Sequence, residues 1–299
     1  MIELGCCSFD FGWLPLDESL RLISQVGFKH ADIGAHGPSA QIPQEAAAAE
    51  PERLGAEIRE TADRHGLAPA ELFLCWIHVD GKPVDVNHPD EGLRTQLLDR
   101  FWHLAACAQA AGCNSVMGVP GKLQDELGDD GSWDVAAETL TEMVRIAGEN
   151  GVRCHVEPHM GSILETPEAA IRMAEEVPGL AYTVDYSHFV AQSIAQERVH
   201  PLLDHAGHMH GKPSRPGYVR CPVHESVIDF APIVERLKAL EWDGVISMEC
   251  IGAWENEQPV YKAVDAAYKG EPVTPGLLGH PAANNVVLAH QIDGLIHQQ

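Results

Sequence analysis

Four short apolar runs in the second half of the chain each stop on a residue able to ligate a metal ion. Val152–Val156 precedes Glu157, Ala181–Val184 precedes Asp185, Ala206–Met209 precedes His210 and Gly244–Met248 precedes Glu249. Each reads as a buried strand followed by one polar residue. The intervals are 28 (157 to 185), 25 (185 to 210) and 39 (210 to 249) residues, close to the length of one βα unit. In a parallel α/β barrel the C-terminal ends of the strands form the mouth where active sites sit. Neighbouring strands lie about 4.8 Å apart, so side chains from successive tips can converge.

A single acid after a strand is ordinarily a loop residue or helix cap, and a lone His there ordinarily serves a hydrogen bond. Four in register on four consecutive units select a shared site instead. Three carboxylates and one imidazole form a hard, oxygen-rich set. It suits one divalent ion, Mn²⁺ first, with Mg²⁺, Co²⁺ or Zn²⁺ as alternatives, rather than a thiolate-bound structural zinc.

The rest of the chain repeats the alternation. Ile2–Ser8 reads as strand one, Leu16–Val26 as a helix, His30–Gly34 as strand two, and residues 39–49 as a loop or loose helix. Helix Pro51–His65, strand Glu71–Trp76, a loop from Ile77 and a long helix Glu91–Ala111 follow. Strand Asn114–Val119 leads into a Gly/Asp-rich loop, Pro120–Gly131, and a helix from Ser132 or Trp133 to about Glu149. Thr166-Pro167-Glu168 supplies a cap, a proline at the first helical position and a first-turn acid. Phe189–Leu203 reads as a helical return and Asp229–Leu240 as another helix.

Eight strands alternating with helices over some 250 residues predict a closed (β/α)8 TIM barrel across residues 1–269. Trp254–Tyr268 would be its last helix. Residues 270–299 form a C-terminal extension, Pro/Gly-rich at first, then a helix over Asn285–His297 with an apolar face. That face is expected to pack on the barrel or on a second subunit of a homo-oligomer.

Composition narrows the partners. Forty-four acidic residues against twenty basic ones, a formal charge of −24, disfavour nucleic acid and anionic membranes. No apolar run approaches the ~20 residues of a membrane span. The first residues enter a strand without the pattern of a signal peptide, which predicts a cytoplasmic protein. The eight cysteines show no C-x-x-C pair and read as small buried hydrophobes, with no disulfide framework and no zinc site.

With these residues placed, a family resemblance is evident. Glu157 after a strand, Asp185 with His188 three residues on, His208-Met-His210, a following Arg215, Ile228-Asp229-Phe230 and strand-borne Glu249 resemble the xylose-isomerase-like sugar isomerase/epimerase barrels. Those barrels include ketose 3-epimerases, hydroxypyruvate isomerase and inosose dehydratase. Asn87-His-Pro before the long helix also fits. The resemblance implies Glu157, Asp185, His210 and Glu249 as metal ligands, with His188 as a substrate contact. It leaves Arg215 and Arg220 as competing candidates for the substrate-binding Arg. His159, in a less usual Glu-Pro-His run, is a further candidate for the pocket. His208 is the alternative to His210, since pleat alternation points both the same way. Lys212 is followed by Pro213 where the family often has Asp.

The chemistry expected is proton abstraction α to a carbonyl. A metal ion polarises the carbonyl and stabilises an enediolate, while Glu157 and Glu249 move protons on opposite faces. Isomerisation or epimerisation of an unphosphorylated ketose or related keto-sugar is the first expectation. The alternative is a lyase on the same site, dehydrating a keto-cyclitol or eliminating the aglycone from a 3-keto-glycoside. Gly118–Lys122 is only a weak phosphate cradle. An abasic-site endonuclease, known among related barrels, would need a basic DNA face that this composition does not offer. A non-catalytic sugar-binding barrel would not need a full ligand set.

Overall fold

The computed structural model describes residues 1–12, 14–36, 41–250 and 281–298. In chain order the elements are β1 (Glu3–Cys7), α1 (Leu16–Gln25), β2 (His30–Gly34), α2 (Gln44–Ala49), α3 (Pro51–Arg64) and β3 (Ala68–Cys75). Then come β4 (Ile77–Val79), β5 (Lys82–Val84), α4 (Glu91–Ala111), β6 (Ser115–Gly118), α5 (Gly128–Glu149) and β7 (Arg153–Val156). The second half has α6 (Pro167–Glu176), β8 (Ala181–Asp185), α7 (Tyr186–Ala191), α8 (Gln196–Val199), β9 (Ala206–Gly211), α9 (Phe230–Ala239), β10 (Val245–Met248) and α10 (Pro281–Ile296). The strands close in the order β1-β10-β9-β8-β7-β6-β3-β2, every pair parallel. This is an eight-stranded (β/α)8 barrel. The helix expected at Trp254–Tyr268 lies outside the described residues, as does most of the Pro/Gly-rich run after Gly270.

Parallel strands bury both faces, and the two faces here carry different cargoes. The outward residues, such as Leu72 and Leu74 of β3 and Met209 of β9, join the large apolar cluster beneath the helices. The inward side holds a small separate cluster of Cys7, Phe9, Phe73 and Met117, plus a set of buried polar groups. On β9 the alternation sends His208 and His210 inward, continued by Lys212, all three buried. The register slips between Tyr182 and Thr183 as they pair with Ala206 and His208, so Gly207 is bulged. A Cβ there would strike the His155 ring, which explains the glycine.

Local chemistry sets the helix ends. Asp90 caps α4 by accepting from Gly92 N (2.7 Å) and Leu93 N (3.2 Å), and Gly112 ends that helix in the left-handed region at φ 83°. Thr166 caps α6, with Pro167 at the first position, and Asp229 caps α9. Helices α3 and α4 approach closely at Gly55, where a Cβ would lie 2.5 Å from the Cys107 carbonyl oxygen.

Several boundaries differ from expectation. The loop expected from Ile77 is an antiparallel hairpin of β4 and β5. Helix α5 begins at Gly128, four residues before Ser132, with Asp129 and Asp130 in its first turn. The single helical return expected over Phe189–Leu203 is broken into α7, α8 and a 3-10 turn, His200–His205. Ser193 stands in the break at φ 63°. The eight cysteines are all free. Helix α10 lies against α9, β1 and β10, and its Leu288, Ala289 and Ile292 are buried.

Candidate metal centre

The barrel mouth brings four expected residues together. Asp185 ends β8 directly opposite His210 of β9 in the strand register. Glu157 and Glu249 each follow a strand by one residue. Their backbone N–H groups donate to Gly118 O (3.0 Å) and Gly211 O (3.1 Å), extending the ladder just far enough to aim both side chains inward. His210 Nδ1 lies 2.9 Å from Glu157 Oε1 and 3.1 Å from Glu249 Oε2. One ligand atom from each of Glu157, Asp185, His210 and Glu249 falls within 4.8 Å of the others, and all four residues are buried.

A fifth group, Lys212, completes the electrostatics. Its buried Nζ lies 2.7 Å from Asp185 Oδ2 and 2.6 Å from Glu249 Oε2. Three carboxylates against one ammonium leave the pocket net negative. Three buried carboxylates and an imidazole whose ligand atoms lie this close together fit a resident metal ion.

The acid–base directions follow from burial and neighbours. Burial works against the charged form of Glu249 and Asp185. The Lys212 ammonium outweighs it, with His210 beside Glu249 and His188 beside Asp185, and holds both carboxyls below their usual range. Burial likewise opposes the Lys212 ammonium, but Asp185 and Glu249 push its pKa well above the ordinary value. His188 is pulled down by burial, against the pull of Asp185.

The remaining expected residues are placed less tightly. His188 Nε2 lies 3.6 Å from Asp185 Oδ2 and 4.0 Å from Glu157 Oε2, on the rim of the ligand set. The His159 ring is 5.6 Å from that of His188, and its Nδ1 bonds Met160 O at 2.8 Å. Arg215 pairs with Glu225 at 3.1 Å and stacks 3.7 Å over the Tyr218 ring. Arg220 is exposed on the same loop. His208 belongs to a deeper layer, 2.9 Å from Asp32, rather than to the four-ligand set.

Sequence reasoning gave Lys212 no role in the site and passed over Asp32, Glu71 and the aromatic wall. Phe73 lies 5.8 Å from the His210 ring, with Phe9 and His36 packed on it at 4.4 and 5.6 Å. The alternation His208, His210, Lys212 along one strand was the available signal for the lysine. Asp32 and Glu71 sit inside otherwise apolar strands, and a charge in such a place is itself a signal.

Comparison with known proteins bears on the fold that carries these residues. A family model described as xylose isomerase-like TIM barrel matches residues 20–269. An inosose dehydratase of Glaesserella parasuis serovar 5 (strain SH0165) is 23% identical over 245 residues, covering 72% of this chain and 78% of that protein. Among solved structures, a D-psicose 3-epimerase determined in the presence of D-fructose superposes with a TM-score of 0.73 at 11% identity, covering 99% of this chain and 100% of the other. A probable 3-DHS dehydratase from Bacillus anthracis gives 0.66 at 13% identity, over 89% and 98%. At such identities the structural likeness speaks to the fold.

Proposed function

We propose, for a chain that belongs to the xylose isomerase-like TIM barrel family, a metal-dependent enzyme that moves protons next to the carbonyl of an unphosphorylated keto-sugar or keto-cyclitol. The observation that carries this reading is the convergence of Glu157 and Glu249, from separate strands, on one nitrogen of His210. Glu157, Asp185, His210 and Glu249 would hold one divalent ion, Mn²⁺ by preference, and that ion would supply Lewis-acid polarisation of a carbonyl.

The chain's own groups do the rest. One of the two glutamates takes the proton α to the carbonyl. The other delivers a proton to the opposite face for epimerisation, or to the neighbouring carbon for isomerisation. Lys212 holds Asp185 and Glu249 in place. His188 is positioned to hydrogen-bond a substrate hydroxyl, with His159 beside it. Arg215 and Arg220 belong to a loop proposed to close on the far end of the sugar. The apolar wall of Phe9 and Phe73 suits the C–H face of a ring. A cytoplasmic location and a homo-oligomer belong to the same proposal; among the described residues no helix is long and apolar enough to cross a membrane.

A second reading, β-elimination, is favoured by Lys212. Its ammonium touches Glu249 and is a third proton-bearing group, able to protonate a departing hydroxide or alkoxide. The similarity to inosose dehydratases supports it. Incubation with Mn²⁺ in D₂O and a panel of ketoses, inososes and 3-keto-glycosides, followed by NMR, tests both. Deuterium gained next to the carbonyl of an isomeric product supports the epimerase or isomerase. Loss of water or alcohol supports the lyase. Either activity should disappear with a chelator and return with Mn²⁺. No turnover and no exchange across the panel would reject the proposal.

A further inference from the structure

Beneath the mouth lies a second buried polar layer that the chemistry above does not use. Glu71 of β3 is fully buried and accepts from Ser115 Oγ and Thr183 Oγ1 at 2.7 Å each, with His155 Nδ1 also at 2.7 Å. Asp32 of β2 is fully buried too. Its Oδ2 lies 2.9 Å from His208 Nε2, 3.6 Å from Cys7 Sγ and 3.5 Å from His210 Nε2. The His208 and His210 rings stand at 90° to one another, 5.7 Å apart, so both turn an edge to the same carboxylate.

Two fully buried carboxylates with only imidazoles, hydroxyls and a thiol around them are costly to a fold. Apolar side chains of similar volume ordinarily serve stability as well or better. The layer therefore calls for a reason other than stability, and His210 provides one. Its Nδ1 faces the glutamates at the mouth. Its Nε2 has no hydrogen-bond partner within the usual limits and points at Asp32. An imidazole that ligates a metal through one nitrogen needs the other held, because that second contact fixes the tautomer and the ring's rotation.

We propose that Asp32 is a positioning residue for the metal centre: it holds the Nε2–H of His210, is itself held by His208, and so commits Nδ1 to the ion. The proposal rests on the metal reading given above. A second metal ion at Asp32, Glu71, His208 and His210 is the competing account, since their ligand atoms also lie within 4.8 Å of one another. The hydrogen bonds oppose it. Both oxygens of Glu71 already accept donors at 2.7 Å.

The test is Mn²⁺ binding to the purified full chain by calorimetry, with thermal melting of the metal-free protein alongside. Asp32→Asn keeps the shape and removes the charge. It should weaken Mn²⁺ binding by about 10- to 100-fold, the usual effect of losing an outer partner of a ligand, while the wild type takes one ion per chain. Glu71→Gln is the control. It disturbs the same layer, which should move the melting temperature, but it does not contact His210 and should leave Mn²⁺ affinity within about twofold of wild type. Equal weakening in both variants would mean general loosening and overturn the proposal. So would unchanged affinity in Asp32→Asn, or two ions per wild-type chain. A wild type that binds no Mn²⁺ would instead overturn the metal reading itself. Should Asp32→Asn fail to fold, ¹⁵N spectra of histidine-labelled, Mg²⁺-saturated wild type decide: a protonated His210 Nε2 supports the proposal, and an unprotonated or metal-bound Nε2 overturns it.

Discussion

Glu157 and Glu249 contact the same imidazole nitrogen but reach it from β7 and β10, on either side of β8 and β9. That separation is what lets two carboxylates serve two faces of a planar intermediate. A carboxylate is a weak base toward a sugar C–H, so each should matter only together with the metal. Glu157→Gln and Glu249→Gln should each lower kcat by about 10²- to 10⁴-fold, the range of a lost general acid or base. The double variant should lose much less than the product of the two, because both act in one proton-transfer sequence. Steady-state kinetics with Mn²⁺ bound in each variant checks this. Full kcat in either Gln variant would remove that residue from the proton path.

At the scale of elements, capping was easier to read than turns. Asp90 sits alone before α4 and satisfies two of the orphan N–H groups that every helix start exposes. Asp90→Ala should cost about 1 kcal/mol, and Asp90→Asn, which keeps an acceptor, much less. Urea midpoints at constant slope measure the difference; equal midpoints for Ala and wild type would mean the cap is idle. The break between α7 and α8 follows a different logic. Ser193 N and Ile194 N turn back to Val190 O (2.9 Å) and Phe189 O (3.0 Å), closing α7 early. Helical spacing of apolar residues continues across that break, so periodicity alone could not show it. The Gly128–Gly131 stretch misleads in the other direction. Two glycines there suggest a loop, yet acids in the first turn favour a helix start.

Across the whole molecule, one buried acid joins the chain's ends. Asp10 Oδ2, just past β1, accepts from Cys250 N (2.8 Å) and from Asn285 Nδ2 (2.7 Å) at the start of α10. Burial raises the Asp10 pKa from 3.8 to about 7, with the charge of Glu249 adding to it and Asn285, Cys250 and Lys212 opposing. Between these values the folded chain keeps a proton that the unfolded chain has released. The stabilisation is therefore complete below about pH 4 and is lost as pH rises through about 7. Asp10→Asn, which resembles the protonated acid, should melt well above wild type at pH 8 and by much less at pH 5. Melting curves at the two pH values check the sign. An equal effect at both would assign Asn285's contact to shape alone.

The reach of the sequence can be seen by comparing His210 with Asp32. Strand ends, βα spacing and the alternation of apolar and polar residues are local properties. They were enough to place Glu157, Asp185, His210 and Glu249 at one rim, because a closed barrel converts regular spacing into convergence. The helix cap at Thr166 was legible for the same local reason. What only the tertiary structure decided is which groups meet across the barrel. Asp32 and His208 are 176 positions apart and touch only because β2 and β9 face one another through the interior. Lys212 shares a strand direction with His210, but its contact with both Asp185 and Glu249 depends on three strands arriving together. Buried charge is settled by its partners, and no local pattern in this chain names partners so distant along it.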